Sequence, residues 1–204
     1  MMTEFDNKVI EIIYKRRAVR KYKDVPVQKE LIDKIIAAGL MAPTAINKQS
    51  WKFYVFRNKE RIATLSDAIL SSSKWQMFKA GMKEALHFML HPSSFKLSDG
   101  IKFINEKDPV FHCAPVVILI TAPKNNEWAA LDIGMCAQNM MLAAVSYGLA
   151  SCPIGFAKML ENTSEPPKIG VSESEMIHLA LIIGYADEEP ELHSRKTDNV
   201  YYVG

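Results

Sequence analysis

Cysteine is scarce: 204 residues hold three, Cys113, Cys136 and Cys152, widely spaced among apolar or small neighbours. An odd, scattered set argues against a disulfide framework and makes no metal-ligand pattern. The five histidines, His87, His91, His112, His178 and His193, do not alternate with carboxylates at metal-binding intervals. His87 and His91 stand four apart, but the Glu of a zincin helix is missing. There is no G-x-G-x-x-G loop, no G-x-x-x-x-G-K-[ST] loop and no G-x-S-x-G elbow. Charge of one sign is lacking too. A net charge of +2 gives no general attraction to nucleic acid or to a membrane surface, so any anion site must come from local clustering. The longest apolar stretch, the Val116 to Ala122 region, is far too short to span a bilayer. The opening Met-Met-Thr-Glu-Phe-Asp lacks the basic-then-apolar order of a secretory signal. A reducing cytoplasm is the expected home. Catalysis, if there is any, must come from a bound organic cofactor.

What remains is globular. A hydrophobic content of 49% with 24% charged residues supports a packed core, and the length suits one domain, 1–204, with a helical excursion at about 71–109. After Asp6, a good N-cap, Val9, Ile10, Ile12, Ile13 and Tyr14 predict an amphipathic helix over Asn7 to Arg17. Leu31, Ile32, Ile35 and Ile36 predict a second over Lys29 to Met41, closed by Pro43. Trp51 to Phe56 reads as a strand and Glu60 to Leu70 as a short helix. Val116 to Thr121 reads as a covered central strand. Trp128 to Leu149 is apolar around almost its whole circumference, which predicts a helix buried in the domain or across a subunit contact. Gly148 ends it, Ala150 to Gly155 reads as a tight loop, and Met176 to Tyr185 as a last core strand loosened by Gly184. The tail closes on Val200-Tyr201-Tyr202-Val203, an apolar tip that should dock on something. Between Ser71 and Pro109, Trp75, Phe78, Phe88 and several methionines suit either a helical arm or a lid over an adaptable apolar pocket.

Three segments carry candidate chemistry. The loop from Ala42 to Trp51 holds Asn47 and Gln49 two apart between buried elements. Fixed amides there suit the edge of a planar heterocycle, or simply cap their own backbone. Arg16, Arg17 and Arg20 stand at i, i+1 and i+4 at the exit of the first helix. They form either a solvated turn that favours the helix dipole or a bidentate cradle for a phosphate monoester. Arg195 could close on the same anion from the tail. Pro153-Ile154-Gly155 brings backbone N–H groups within reach of a ligand, since Gly155 has no Cβ to block approach. Amides and arginines together point to a phosphorylated flavin.

Taken in order, Arg16-Arg17-Ala18-Val19-Arg20, Ala42 to Trp51, Asp132 to Leu149 running into Ser151-Cys152-Pro153-Ile154-Gly155, and Ile182-Ile183-Gly184-Tyr185 ahead of Arg195 resemble the nitroreductase family of FMN-dependent oxidoreductases. The resemblance implies an α+β fold, a three-layer α/β/α sandwich with a mainly antiparallel central sheet. It also implies an intertwined homodimer with two FMN sites at the interface. Arg16, Arg17, Ala18, Arg20 and Arg195 would then surround the phosphate and pyrimidine edge. Asn47 and Gln49 would come from the partner subunit, and Pro153, Ile154 and Gly155 would lie against the isoalloxazine. The family often has Ser where this chain has Ala18, which removes one hydroxyl. The implied activity passes a hydride from NAD(P)H through the flavin to a nitroaromatic, a quinone or another flavin, and no side chain is assigned as catalytic. The alternatives are a specialised FMN enzyme of the same fold, for dehalogenation or flavin breakdown, and a non-catalytic flavin-binding protein.

Overall fold

The computed structural model describes residues 7–72, 107–195 and 197–203. Helix α1 covers Lys8–Lys15, α2 Lys29–Leu40, α3 residues 59–72, α4 Ala129–Ser146 and α5 Glu165–Lys168. The strands are β1 (Lys52–Phe56), β2 (Val116–Pro123), β3 (Ala150–Ile154) and β4 (Glu175–Gly184), with 3-10 turns over Ala45–Asn47 and Gly155–Asn162. They form one antiparallel sheet in the order β1-β2-β4-β3.

Alternation along the two central strands splits the core. Val116, Ile118, Ile120, Leu181 and Ile183 face α2 and α4, while Val117, Leu119, Ala180 and Ile182 face α3, Phe111 and Leu160. Helices therefore cover both faces of the sheet, and the strands read as continuous apolar runs because neither face meets water. Between Ile120 and Thr121 the register slips, so His178 is an extra residue on β4. That bulge shifts the alternation by one and returns Ile177 to the α3 side.

α2 and α4 pack closely because Gly39 has no side chain: a Cβ there would lie 2.6 Å from Met140 Cγ. α4 ends as its sequence predicts. Gly148, at φ 73, donates to Val145, and Leu149 N–H reaches back to the Ala144 carbonyl at 2.8 Å. α4 is long and apolar enough to cross a bilayer, but its buried residues, Ile133, Cys136, Met140 and Ala144 among them, pack into the core.

Three expectations need correction. Asn7, not Asp6, caps α1, its side chain accepting from Val9 N–H at 2.8 Å; Asp6 lies outside the described residues. The helix stops at Lys15, because Arg16 (φ −57, ψ 128) has left helical geometry. Residues 150–154 are not a loop but an edge strand paired along its length with β4. Pro153 shares the parity of Ser151, whose carbonyl points away from β4 towards Val19, so the N–H that proline lacks would face outward. Of the 71–109 excursion, Ser71 and Ser72 continue α3 and residues 107–109 open a turn. Trp75, Phe78 and Phe88 lie outside the described residues.

Candidate functional site

The arginine turn is built on the outer edge of β3. Val19 N–H donates to the Ser151 carbonyl at 3.2 Å, bridging Ala18 to Ser151 in parallel. Lys23 N–H bonds Tyr185, Asp187 N–H bonds Lys21, and Glu188 Oε1 accepts from Arg20 N–H at 2.5 Å and Lys21 N–H at 3.1 Å. Residues 16–23 are thereby held between the sheet edge and the chain leaving β4.

Within that turn the three arginines diverge. Arg17 Nη1 donates to the carbonyls of Tyr14 and, at 2.9 Å, Arg16, satisfying groups freed at the end of α1. Its Nε is buried without a partner. The charges of Arg16 and Arg20 act on Cys152 instead. Burial pushes the Cys152 thiol above its ordinary pKa, against the pull of both guanidinium charges. Beside it the Ser151 hydroxyl is buried without a partner. The structure thus joins Arg16, Arg17, Ala18 and Arg20 to the Ser151–Ile154 strand, and leaves buried polar atoms there without partners. Ser151 was missed from sequence because a lone serine carries no spacing signal. Buried Cys152 and Cys136, the latter's thiol pushed up to about 12 by burial, behave as small core residues; Cys113 is exposed.

At the end of β3, Ile154 is buried, whereas Pro153 and Gly155 are exposed. No atom stands within 4 Å of where a Gly155 Cβ would be, so its backbone is open to approach.

The amide loop is built elsewhere. Ile46, Asn47 and Gln49 have φ of 51, 55 and 45, left-handed values that are uncommon outside glycine and unfavourable for β-branched Ile46. Gln49 N–H donates to Thr44 Oγ1 at 3.1 Å, and Gln49 Nε2 to Asn47 Oδ1 at 2.7 Å, so the two amides form one exposed unit. Two bonds moor the loop: Ala45 N–H to Asp132 Oδ1 at 3.1 Å and Asn126 Nδ2 to Ser50 Oγ at 2.8 Å. One mooring comes from the first turn of α4 and the other from the turn just before it, whereas the arginine turn pairs with β3, which follows the far end of α4. From Asp132 to Ser146 the helix axis runs about 21 Å. One chain therefore presents the two halves of the donor set at opposite ends of a helix. An open groove of about 490 Å³ runs past Pro43, Leu131, Gly134 and Met135 along the outer side of α4.

Arg195 stands apart. Its Nη1 donates to the His193 carbonyl at 3.0 Å within the exposed tail, and among the described residues no hydrogen bond or ion pair links it to the arginine turn. Among those residues no His, Cys, Asp or Glu cluster could hold a metal ion.

The donors present are guanidiniums, paired amides and an open backbone segment after β3. They fit an anionic group joined to a planar ring. A model of the nitroreductase family matches residues 13–185. A 4-nitrobenzoate reductase from Pseudomonas putida is 26% identical over 203 residues, which cover 90% of this chain and 87% of that protein. The solved FMN- and NADPH-dependent nitroreductase NfnB from Sphigopyxis sp. strain HMH superposes with a TM-score of 0.75 at 25% identity, over 97% of this chain and 100% of the other. A nitroreductase with bound FMN from Desulfitobacterium hafniense has the same fold, with a TM-score of 0.78 at 21% identity over 98% of this chain and 100% of its own.

Proposed function

The chain belongs to the nitroreductase family, and on that premise we propose that it is a homodimeric, FMN-dependent NAD(P)H oxidoreductase that reduces a nitroaromatic, a quinone or a similar small acceptor in a reducing cytoplasm. The observation that carries this reading is the division of the donor set. Arg16 and Arg20 lie at one end of α4 and Asn47 and Gln49 are moored at the other, so one compact ligand meets both only where two copies come together. Each site would take its arginine turn from one protomer and Asn47 and Gln49 of the partner subunit.

Arg16 and Arg20 would hold the phosphate, with the unpartnered Nε of Arg17 and the Ser151 hydroxyl as further donors around Ala18. Arg195 would join them once the tail is anchored. Pro153, Ile154 and Gly155 would form the wall against the ring, the absent Cβ at 155 allowing contact through backbone. When bound, FMN supplies the two-electron chemistry that connects a nicotinamide donor to the acceptor. The protein's part is to fix the ring, to present N–H donors where negative charge grows, and to keep bulk water from one ring face. No side-chain acid or base is needed for hydride movement, so none is assigned.

The purified protein should be yellow, bleach on anaerobic addition of NADH or NADPH, and regain colour with a nitroaromatic or quinone. A colourless preparation that ignores added FMN would end the reading. Arg16→Ala should weaken FMN binding by about 1.5–3 kcal/mol, the usual loss for a hydrogen bond to a charged group. Arg17→Ala should in addition lower the melting temperature of the flavin-free protein, because Nη1 closes the end of α1. Fluorescence titration and thermal unfolding read the two effects separately.

A further inference from the structure

Asp132 is 2% exposed, yet its surroundings do little to satisfy it. It lies in the first turn of α4, where the helix dipole favours a carboxylate, but its N–H is already bonded to the Trp128 carbonyl and its side chain makes no hydrogen bond to its own helix. One oxygen accepts from Ala45 N–H at 3.1 Å, and the other is buried without a partner. A buried carboxyl with a single bond is an expensive way to fill a core position. What it does accomplish is to hold the residue that leads into a run of left-handed backbone at 46, 47 and 49. Such strain persists only where the surroundings over-determine it. Here the over-determination comes from two moorings, Asp132 at the loop's start and Asn126 at its end.

We propose that Asp132 is a positioning residue for the cofactor site: through Ala45 it fixes the strained course of the loop, and with it where Asn47 and Gln49 meet the flavin. This rests on the functional reading above. Asp132 touches no ligand itself. Its effect passes through one hydrogen bond, which can be removed from either side. Ala45→Pro deletes the donor while respecting the local backbone, because Thr44 already has the extended geometry that precedes proline (φ −131, ψ 152) and residue 45 opens a 3-10 turn.

The test strips FMN from the full-length protein and titrates it back by flavin fluorescence, alongside thermal unfolding of the flavin-free form. Asp132→Ala and Ala45→Pro should each raise Kd fivefold or more, and the double variant no more than the larger single, since both delete the same bond. Asp132→Asn, which keeps an acceptor oxygen, should stay within fivefold of wild type. A smaller effect in either of the first two, multiplying effects in the double, or an Asn variant as weak as Ala would overturn the proposal. Should Asp132→Ala not fold, Ala45→Pro decides alone: a fivefold loss with near-native melting upholds it, and a smaller loss overturns it. Wild-type protein that takes up no FMN would sink the functional reading and this role together, whereas normal wild-type binding with unaltered variants sinks only the role of Asp132.

Discussion

Two glycines separate backbone freedom from packing room. Gly148 occupies left-handed space at φ 73 with nothing within 4 Å of its missing Cβ. Gly184→Ala would instead drive a methyl to 2.7 Å from Pro115 Cδ and 2.8 Å from Tyr22 Cδ1, both ring atoms with little freedom to move. Gly148→Ala should therefore cost about 1–2 kcal/mol, the left-handed conformational cost of a Cβ alone. Gly184→Ala should cost about 1–3 kcal/mol, as overpacked cores do. Urea unfolding of both variants checks the order. Sequence marked the two positions as element ends, and for Gly148 the local pattern sufficed. At Gly184 it suggested a loosened strand end. The actual reason, the Tyr22 and Pro115 rings pressed against the backbone, depends on residues far away in the chain.

At the scale of elements, the β4 bulge carries a pH consequence. His178 is 7% exposed and its Nε2 has no partner. Burial lowers its pKa, Lys158 adds to the lowering, and Glu161, which accepts Ile177 N–H at 2.6 Å, opposes it. Below the ordinary value of 6.5 the unfolded chain therefore binds more protons than the folded one at this site. Its contribution is complete above 6.5 and is lost as pH falls from there towards the depressed folded pKa. His178→Gln should flatten the fall in stability between about pH 7 and pH 5, read by chemical unfolding at each pH. The helices and central strands were legible because their apolar periods are local. β3 was not: Ala-Ser-Cys-Pro-Ile carries turn residues, and it becomes a strand only because β4 offers it an edge.

At the scale of the whole molecule, apolar surface is left uncovered, and the proposed homodimer would cover it. Val9, Ile10, Ile13 and Tyr14 of α1 are all exposed, and no residue of that helix is buried. Leu131 and Trp128 project from the outer side of α4, and Tyr202 in the tail is 96% exposed. An amphipathic helix with no buried face and an apolar tail without cover are unstable arrangements for one chain in water. Sedimentation should give twice the chain mass. Deleting residues 189–204 should weaken that association and FMN uptake together. A truncated protein that remains a dimer with native FMN affinity would show that the tail contributes to neither.

Sequence by itself determined the four longer helices (though not the exact cap and end of α1), the central strands, the closing glycine of α4 and the residue types of the candidate site, because period and side-chain chemistry act over a few residues. Only tertiary structure decided that the arginine turn lies on the β3 edge, that Ser151 and the Arg17 Nε are left without partners there, and that Asp132 holds the amide loop about 21 Å of helix away. Those relations join residues separated by 87 or more positions, and no local pattern carries them.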